Sequence, residues 1–156
     1  MDYNDFVKEY RSLVERVLLL AGKATHEGIL SLEEMIDEEK YIRRDIFEYG
    51  LKLICAGVGD TFIDTVLTNI IEQETDENKK LLGKIQKQAV LGFEYGMGQK
   101  KILMLLNSFV NIDVEDTMKK CNGFEKLEME NWKSKRIEEL EEKNLKLKKK
   151  IRKLKK

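Results

Sequence analysis

The sequence predicts an all-α protein: a compact helical domain of antiparallel helices, followed by a long C-terminal helix that forms a short coiled-coil-like tail. Three observations predict it. The 156 residues include no proline, which helix interiors reject because it lacks an amide hydrogen and clashes with the preceding turn. Lys, Glu and Leu, all good helix formers, are abundant. Apolar residues also recur at spacings of three and four along most of the chain. With 42% hydrophobic and 37% charged residues, the chain can build a modest core beneath a heavily charged surface.

Phe6, Tyr10, Leu13, Val14, Val17, Leu20, Ala21 and Ala24 form one apolar stripe, expected to stop at Gly28, a residue suited to the left-handed turn after a helix. Ser31 and Glu34 fit a capping box, in which the two side chains satisfy free amides at the start of a second helix. Ile42, Ile46, Tyr49, Leu53 and Ile54 predict a third stripe, closed by Gly57 and Gly59. Asp60 is placed to cap a helix that turns Ile63, Val66, Leu67, Ile70 and Ile71 inward. The polar stretch from Glu72 to Lys80 reads as a solvated part of a continuing helix, with apolar periodicity resuming at Leu81, Leu82, Ile85 and Ala89. Gly96 and Gly98 interrupt it before a helix over Lys100–Val110. Asp113 is a candidate cap for a short helix ending near Gly123.

An internal echo links two of these segments. Gly57, Gly59, Ile63 and Val66–Leu67 match Gly96, Gly98, Ile102 and Leu105–Leu106 at a constant offset of 39 residues. Two related helix–turn–helix units produce such a pattern.

Charge divides the chain into an acidic domain, 1–123, and a basic helical tail, 124–156. From Lys133 to Lys156 there are twelve Lys/Arg and four Glu, a net of +8. The rest carries −8, because 29 basic and 29 acidic residues cancel overall. In the tail, Ile137, Leu140, Asn144, Leu147, Ile151 and Leu154 occupy alternating a and d positions of a heptad, with Asn at an a site. A parallel homodimer would set Arg136 against Glu141, but Lys143 against Lys148 and Lys150 against Lys155. An acidic partner helix or an anionic membrane surface suits the tail better. Nucleic acid suits it less, because no aromatic residue lies between Lys133 and Lys156 to stack on bases. Trp132 stands just before it as a junction packing residue.

The residues that carry chemistry are sparse. The GVGD and GMGQ segments lack both the full G-x-G-x-x-G spacing and a Gly-Lys-Ser/Thr ending, so they read as helix-terminating turns rather than phosphate loops. His26 is the single histidine and has no cysteine beside it. It reads as a surface residue complementing a helix C-terminus rather than as a metal ligand. Glu33, Glu34, Asp37, Glu38 and Glu39 lack the glycine turn and spacing of a calcium loop and read as a solvated face. Ser12, Ser31, Ser108 and Ser134 stand outside any G-x-S-x-G turn. Cys55 and Cys121 form no CxxC pair; Cys55 is expected in the core, and reduced thiols fit a cytoplasmic setting. These features argue against an enzyme and imply no cofactor. Apolar runs are no longer than Val17–Ala21, far short of the roughly 20 residues a membrane span needs.

One block is more specific. Lys23–Glu34 reads Lys-Ala-x-x-Glu-Gly-Ile-Leu-Ser-Leu-Glu-Glu, and Gly50–Asp60 reads GLKLICAGVGD. Together, within roughly Phe6–Glu74, they resemble the cytoplasmic segment of the MotA family, the stator subunits of the bacterial flagellar motor. The resemblance implies a soluble MotA-like binding or scaffold component of the motility and chemotaxis apparatus, cytoplasmic and peripheral at the motor. Its expected partners are the rotor protein FliG or the stator MotA itself. It implies a partner-binding surface at His26, Glu27, Glu33, Glu34 and Asp37, with Glu33 at the position of a family glutamate. Thr25 and His26 stand where the family carries arginines, so the basic half of the torque surface is missing, as are the membrane helices. The alternative is a cytoplasmic helical adaptor that holds an anionic membrane surface or an acidic partner through its basic tail.

Overall fold

A computed structural model describes residues 1–35 and 45–155, the side chains of 34–35, 120–133 and 135–136 excepted. These residues form six α-helices and one 3-10 segment, with no strand among the described residues. Helix α1 spans Tyr3–Glu27, α2 Ile46–Cys55, α3 Asp60–Glu72, α4 Glu77–Glu94, α5 Gln99–Asn107 and α6 Glu115–Leu154; the 3-10 segment is Ile29–Met35. They make two compact units, Met1–Met118 and Lys119–Lys156.

In the first unit α4 is the central element, packing against α1, α2, α3 and α5. Its position explains its sequence. A helix surrounded by neighbours must be apolar on more than one side, and Leu82, Ile85, Ala89, Val90, Leu91 and Phe93 are all buried. Helix α1 covers this core with Phe6, Tyr10, Leu13, Val14, Val17, Leu18, Leu20 and Ala21. It ends as expected at Gly28, whose φ of 89° lies where only glycine is comfortable and whose amide donates to the Ala24 carbonyl at 2.9 Å. Two polar bonds tie α1 to α5: the Tyr10 hydroxyl donates to Asn107 Oδ1 at 2.8 Å, and Gln99 Nε2 donates to the Leu18 carbonyl at 2.7 Å.

The 39-residue echo is a structural repeat. Helices α2 and α4 end at Cys55 and Glu94, and α3 and α5 begin at Asp60 and Gln99, each pair at that offset. Gly57 and Gly96 both adopt positive φ, 72° and 69°. The turn bonds correspond as well: Ala56 N to Lys52 O and Tyr95 N to Leu91 O are both 2.9 Å, and Ile63 N to Gly59 O and Ile102 N to Gly98 O are both 3.1 Å. Burial follows the same register, with Gly50, Leu51, Ile54, Ile63 and Leu67 matched by Ala89, Val90, Phe93, Ile102 and Leu106. One difference stands out: Gly59 has φ 87°, whereas Gly98 has φ −72°.

Several expectations are corrected. Ser31 does not open an α-helix through a capping box. It lies inside the 3-10 segment, and its hydroxyl donates back to the Gly28 carbonyl at 2.6 Å. The buried face of α2 is Phe47, Gly50, Leu51 and Ile54 rather than Ile46, Tyr49 and Leu53, because Gly50 lets the backbone approach α4 closely; Ile42 lies outside the described residues. Cys55 is therefore half-buried on the flank of α2, not in the core.

Asp60 is the first residue of α3, preceded by Gly59 as cap. Its carboxylate accepts from the Thr61 amide and the Tyr95 hydroxyl, both at 2.9 Å, and those bonds hold it below the usual carboxylate range, Tyr95 contributing most. The stretch from Glu72 to Lys80 is broken, not continuous. Glu74 accepts the Thr75 and Asp76 amides at 3.0 Å, and Asp76 accepts the Lys79 amide at 3.0 Å to start α4. Such local side-chain bonds compete with helix propagation. Asp113 does hold the first amide of α6, that of Glu115, at 2.9 Å. That helix runs on through Gly123, where a stop was expected. An interior glycine costs about 1 kcal/mol relative to alanine, and the Leu, Glu and Lys residues that follow it favour continuation.

Candidate docking surface

The 3-10 segment joins two neighbouring helices. The 3-10 segment packs on both α1 and α2. Three residues per turn put Ile29 and Leu32 on one face, and Leu32 is the peg: it is buried, while Glu33 beside it is exposed. The Glu33 charge reaches Cys55 at the end of α2. Burial first, and then Glu33, push the Cys55 thiol up from its ordinary value, so it is protonated at neutral pH. The 3-10 segment thus links α1 to α2.

On α1, Lys23 and Glu27 form an i,i+4 ion pair at 3.7 Å, both half-buried, so Glu27 is neutralised within its own helix. His26 is exposed in the last turn of α1. Leu30, overlooked in the sequence, is 63% exposed; the 3-10 period of three turns it away from the face of Ile29 and Leu32. The Glu34 side chain and Asp37 lie outside the described residues.

The alignment of α1 with α2 depends on Arg16 and Asp45, also missed. Asp45 Oδ1 accepts the Phe47 and Glu48 amides at 2.9 and 3.3 Å, capping α2. Its other oxygen takes Arg16 Nη1 at 2.9 Å. The Arg16 guanidinium also lies 5.0 Å above the Phe47 ring centre, within cation–π range.

The Ser31 and Ser108 hydroxyls donate to the carbonyls of Gly28 and Leu105, each at 2.6 Å. No group of three or more His, Cys, Asp or Glu converges as a metal site among the described residues. A cleft of about 170 Å³ lies between α3 and α4, but the Lys87 amine on its wall is taken up by Asp64 at 2.8 Å and Thr68 at 3.1 Å. No described helix is long and apolar enough to cross a membrane.

In the second unit the heptad residues lie on one continuous helix. Ile137, Leu140, Leu147, Ile151 and Leu154 are all exposed, from 47% to 86%, and Asn144 between them is exposed too. The predicted seam residues are thus exposed.

No family model, curated protein or solved structure gives a significant match to the chain.

Proposed function

We propose that the protein is a soluble MotA-like component of the bacterial flagellar motor, a non-enzymatic scaffold that docks on the rotor protein FliG or on the stator MotA through charged helices. One observation carries the reading. The 3-10 segment, which carries part of the first block, packs on α2, which carries part of the second, with Leu32 buried and Glu33 exposed. Glu33 supplies the acidic side of a charge-complementary contact, and exposed Leu30 supplies apolar area. With no described helix able to span a bilayer, the role proposed is docking rather than ion conduction.

The test is cellular. A fluorescent fusion of the full chain should collect at flagellar motors, and loss of the gene should impair swimming. Glu33→Lys should disperse the fusion while the protein remains folded. A diffuse wild-type fusion together with normal swimming in the deletion strain would refute the proposal.

A second reading, a helical adaptor recruited through its basic tail to an anionic membrane surface or acidic partner, is favoured by the uncovered heptad seam of α6. If motor localisation persists after the tail is deleted, the first unit carries recognition. Binding that vanishes with the tail and simply tracks ionic strength supports the adaptor.

A further inference from the structure

We infer that the tail is one strand of a parallel, two-stranded, heterotypic coiled coil whose other strand is an acidic helix carrying Glu or Asp at its e and g positions and Asn opposite Asn144. The inference rests on reading the tail as a recruiting element and commits it to one occupant. Ile137 to Leu154 is a helix of 18 residues in which six a and d positions share a face, and that face is exposed. An uncovered apolar seam is stabilised by a second helix whose side chains interdigitate with it.

The flanks decide what that helix carries. Beyond Glu142 every charged residue is basic: nine Lys and Arg, with no acid, from Lys143 to Lys156. The e and g positions of this stretch are Lys143, Lys148, Lys150 and Lys155, four cations bordering the seam. A parallel second copy would put Lys143 beside Lys148 and Lys150 beside Lys155. An antiparallel second copy, in full overlap, would set Asn144 against Leu147, leaving a buried amide without a partner, and Lys143 against Lys150. The parallel copy stacks like charges, and the antiparallel one, though it sets Glu141 against Lys148, leaves the Asn144 amide unpaired; an acidic helix with a facing Asn avoids both.

Asn144 also decides between a helix and a lipid surface. It sits in the middle of the apolar stripe, where a bilayer would desolvate its amide with nothing to bond. Across a two-stranded seam, a facing Asn bonds it and fixes the register.

The test is titration of the full chain with a synthetic three-heptad peptide that has Leu or Ile at a and d, Glu at every e and g, and Asn at the central a. Its counterpart with Lys at e and g is the control. Sedimentation should show a 1:1 complex with the Glu peptide alone, weakening as salt rises. Lys148→Glu with Lys155→Glu should lower affinity by roughly tenfold, since each contact changes from attraction to repulsion. Asn144→Ile should weaken binding to the Asn peptide and be rescued by a peptide with Ile at that site, a register readout that general charge attraction would not give. Several results overturn the inference: no complex with the Glu peptide, equal binding to the Lys peptide, a tail-dependent dimer of the chain alone, or binding confined to phosphatidylglycerol vesicles. The last leaves the adaptor reading standing while the coiled-coil pairing falls.

Discussion

Gly50 lies where α2 crosses α4, and replacing it with alanine tests the packing of the first unit most sharply. A methyl group there would lie 2.4 Å from Val90 Cγ2, 2.6 Å from Cγ1 and 3.0 Å from Cβ. Comfortable carbon–carbon separations are about 3.5–4.0 Å, so the overlap is on the order of an ångström against a β-branched side chain that is stiff at χ1. Overpacking of this kind costs about 1–3 kcal/mol, and three short contacts put it near the upper end. Alanine returns about 1 kcal/mol of helix propensity. Gly50→Ala is therefore expected to destabilise the protein by about 2 kcal/mol.

Val90→Ala alone, which removes two buried methyl groups, should also cost about 2 kcal/mol. The double variant should be no less stable than Val90→Ala, because the vacated space accepts the new methyl. That is a coupling of about 2 kcal/mol, measurable by urea unfolding of all four proteins. A stabilised Gly50→Ala, as propensity alone predicts, or strict additivity in the double variant would refute the close crossing.

Three further outcomes follow from the same geometry. Gly57→Ala and Gly96→Ala should each cost about 1–2 kcal/mol, because both hold the left-handed conformation, whereas Gly98→Ala at φ −72° should cost nothing measurable by urea unfolding. Tyr10 is fully buried, and its phenol is pushed up to about 12 by desolvation, against 10.0 when exposed. Stability is therefore complete below pH 10 and falls through the window from 10 to 12, as the unfolded chain releases a proton that the folded one keeps. The loss should approach about 2–3 kcal/mol by pH 12 relative to Tyr10→Phe, read from unfolding of both proteins across that range. Asp45→Ala should cost about 1–2 kcal/mol by removing a helix cap, with amide exchange accelerated at Phe47 and Glu48 before the rest of α2.

Much of this architecture was legible because it depends on periodicity and glycine. The α1 stripe, the stop at Gly28, the repeated turns at Gly57 and Gly96 and the tail heptad all follow from spacing alone. What escaped depends on contacts between distant residues. Gly50 drew no notice in the sequence, because its contact partner Val90 lies 40 residues away. Asp45 went unnoticed as a cap because the third stripe was read from Ile42, ahead of it. At the candidate surface, Leu30 was not singled out in the sequence. The 3-10 period that exposes it is set by the packing of Leu32 between α1 and α2. Gly123 misled in the other direction: a glycine marks a stop only where the chain turns, and here the helix continues.

The functional account rests on Glu33 and its neighbours meeting a motor protein. Calorimetric titration of the full chain into purified FliG, and separately into purified MotA, tests it most directly. Saturable binding to one of them is predicted, weakened by raised salt, by Glu33→Lys combined with Glu34→Lys, and by Leu30→Ser. Absence of binding to both proteins, or binding indifferent to those substitutions, would contradict it.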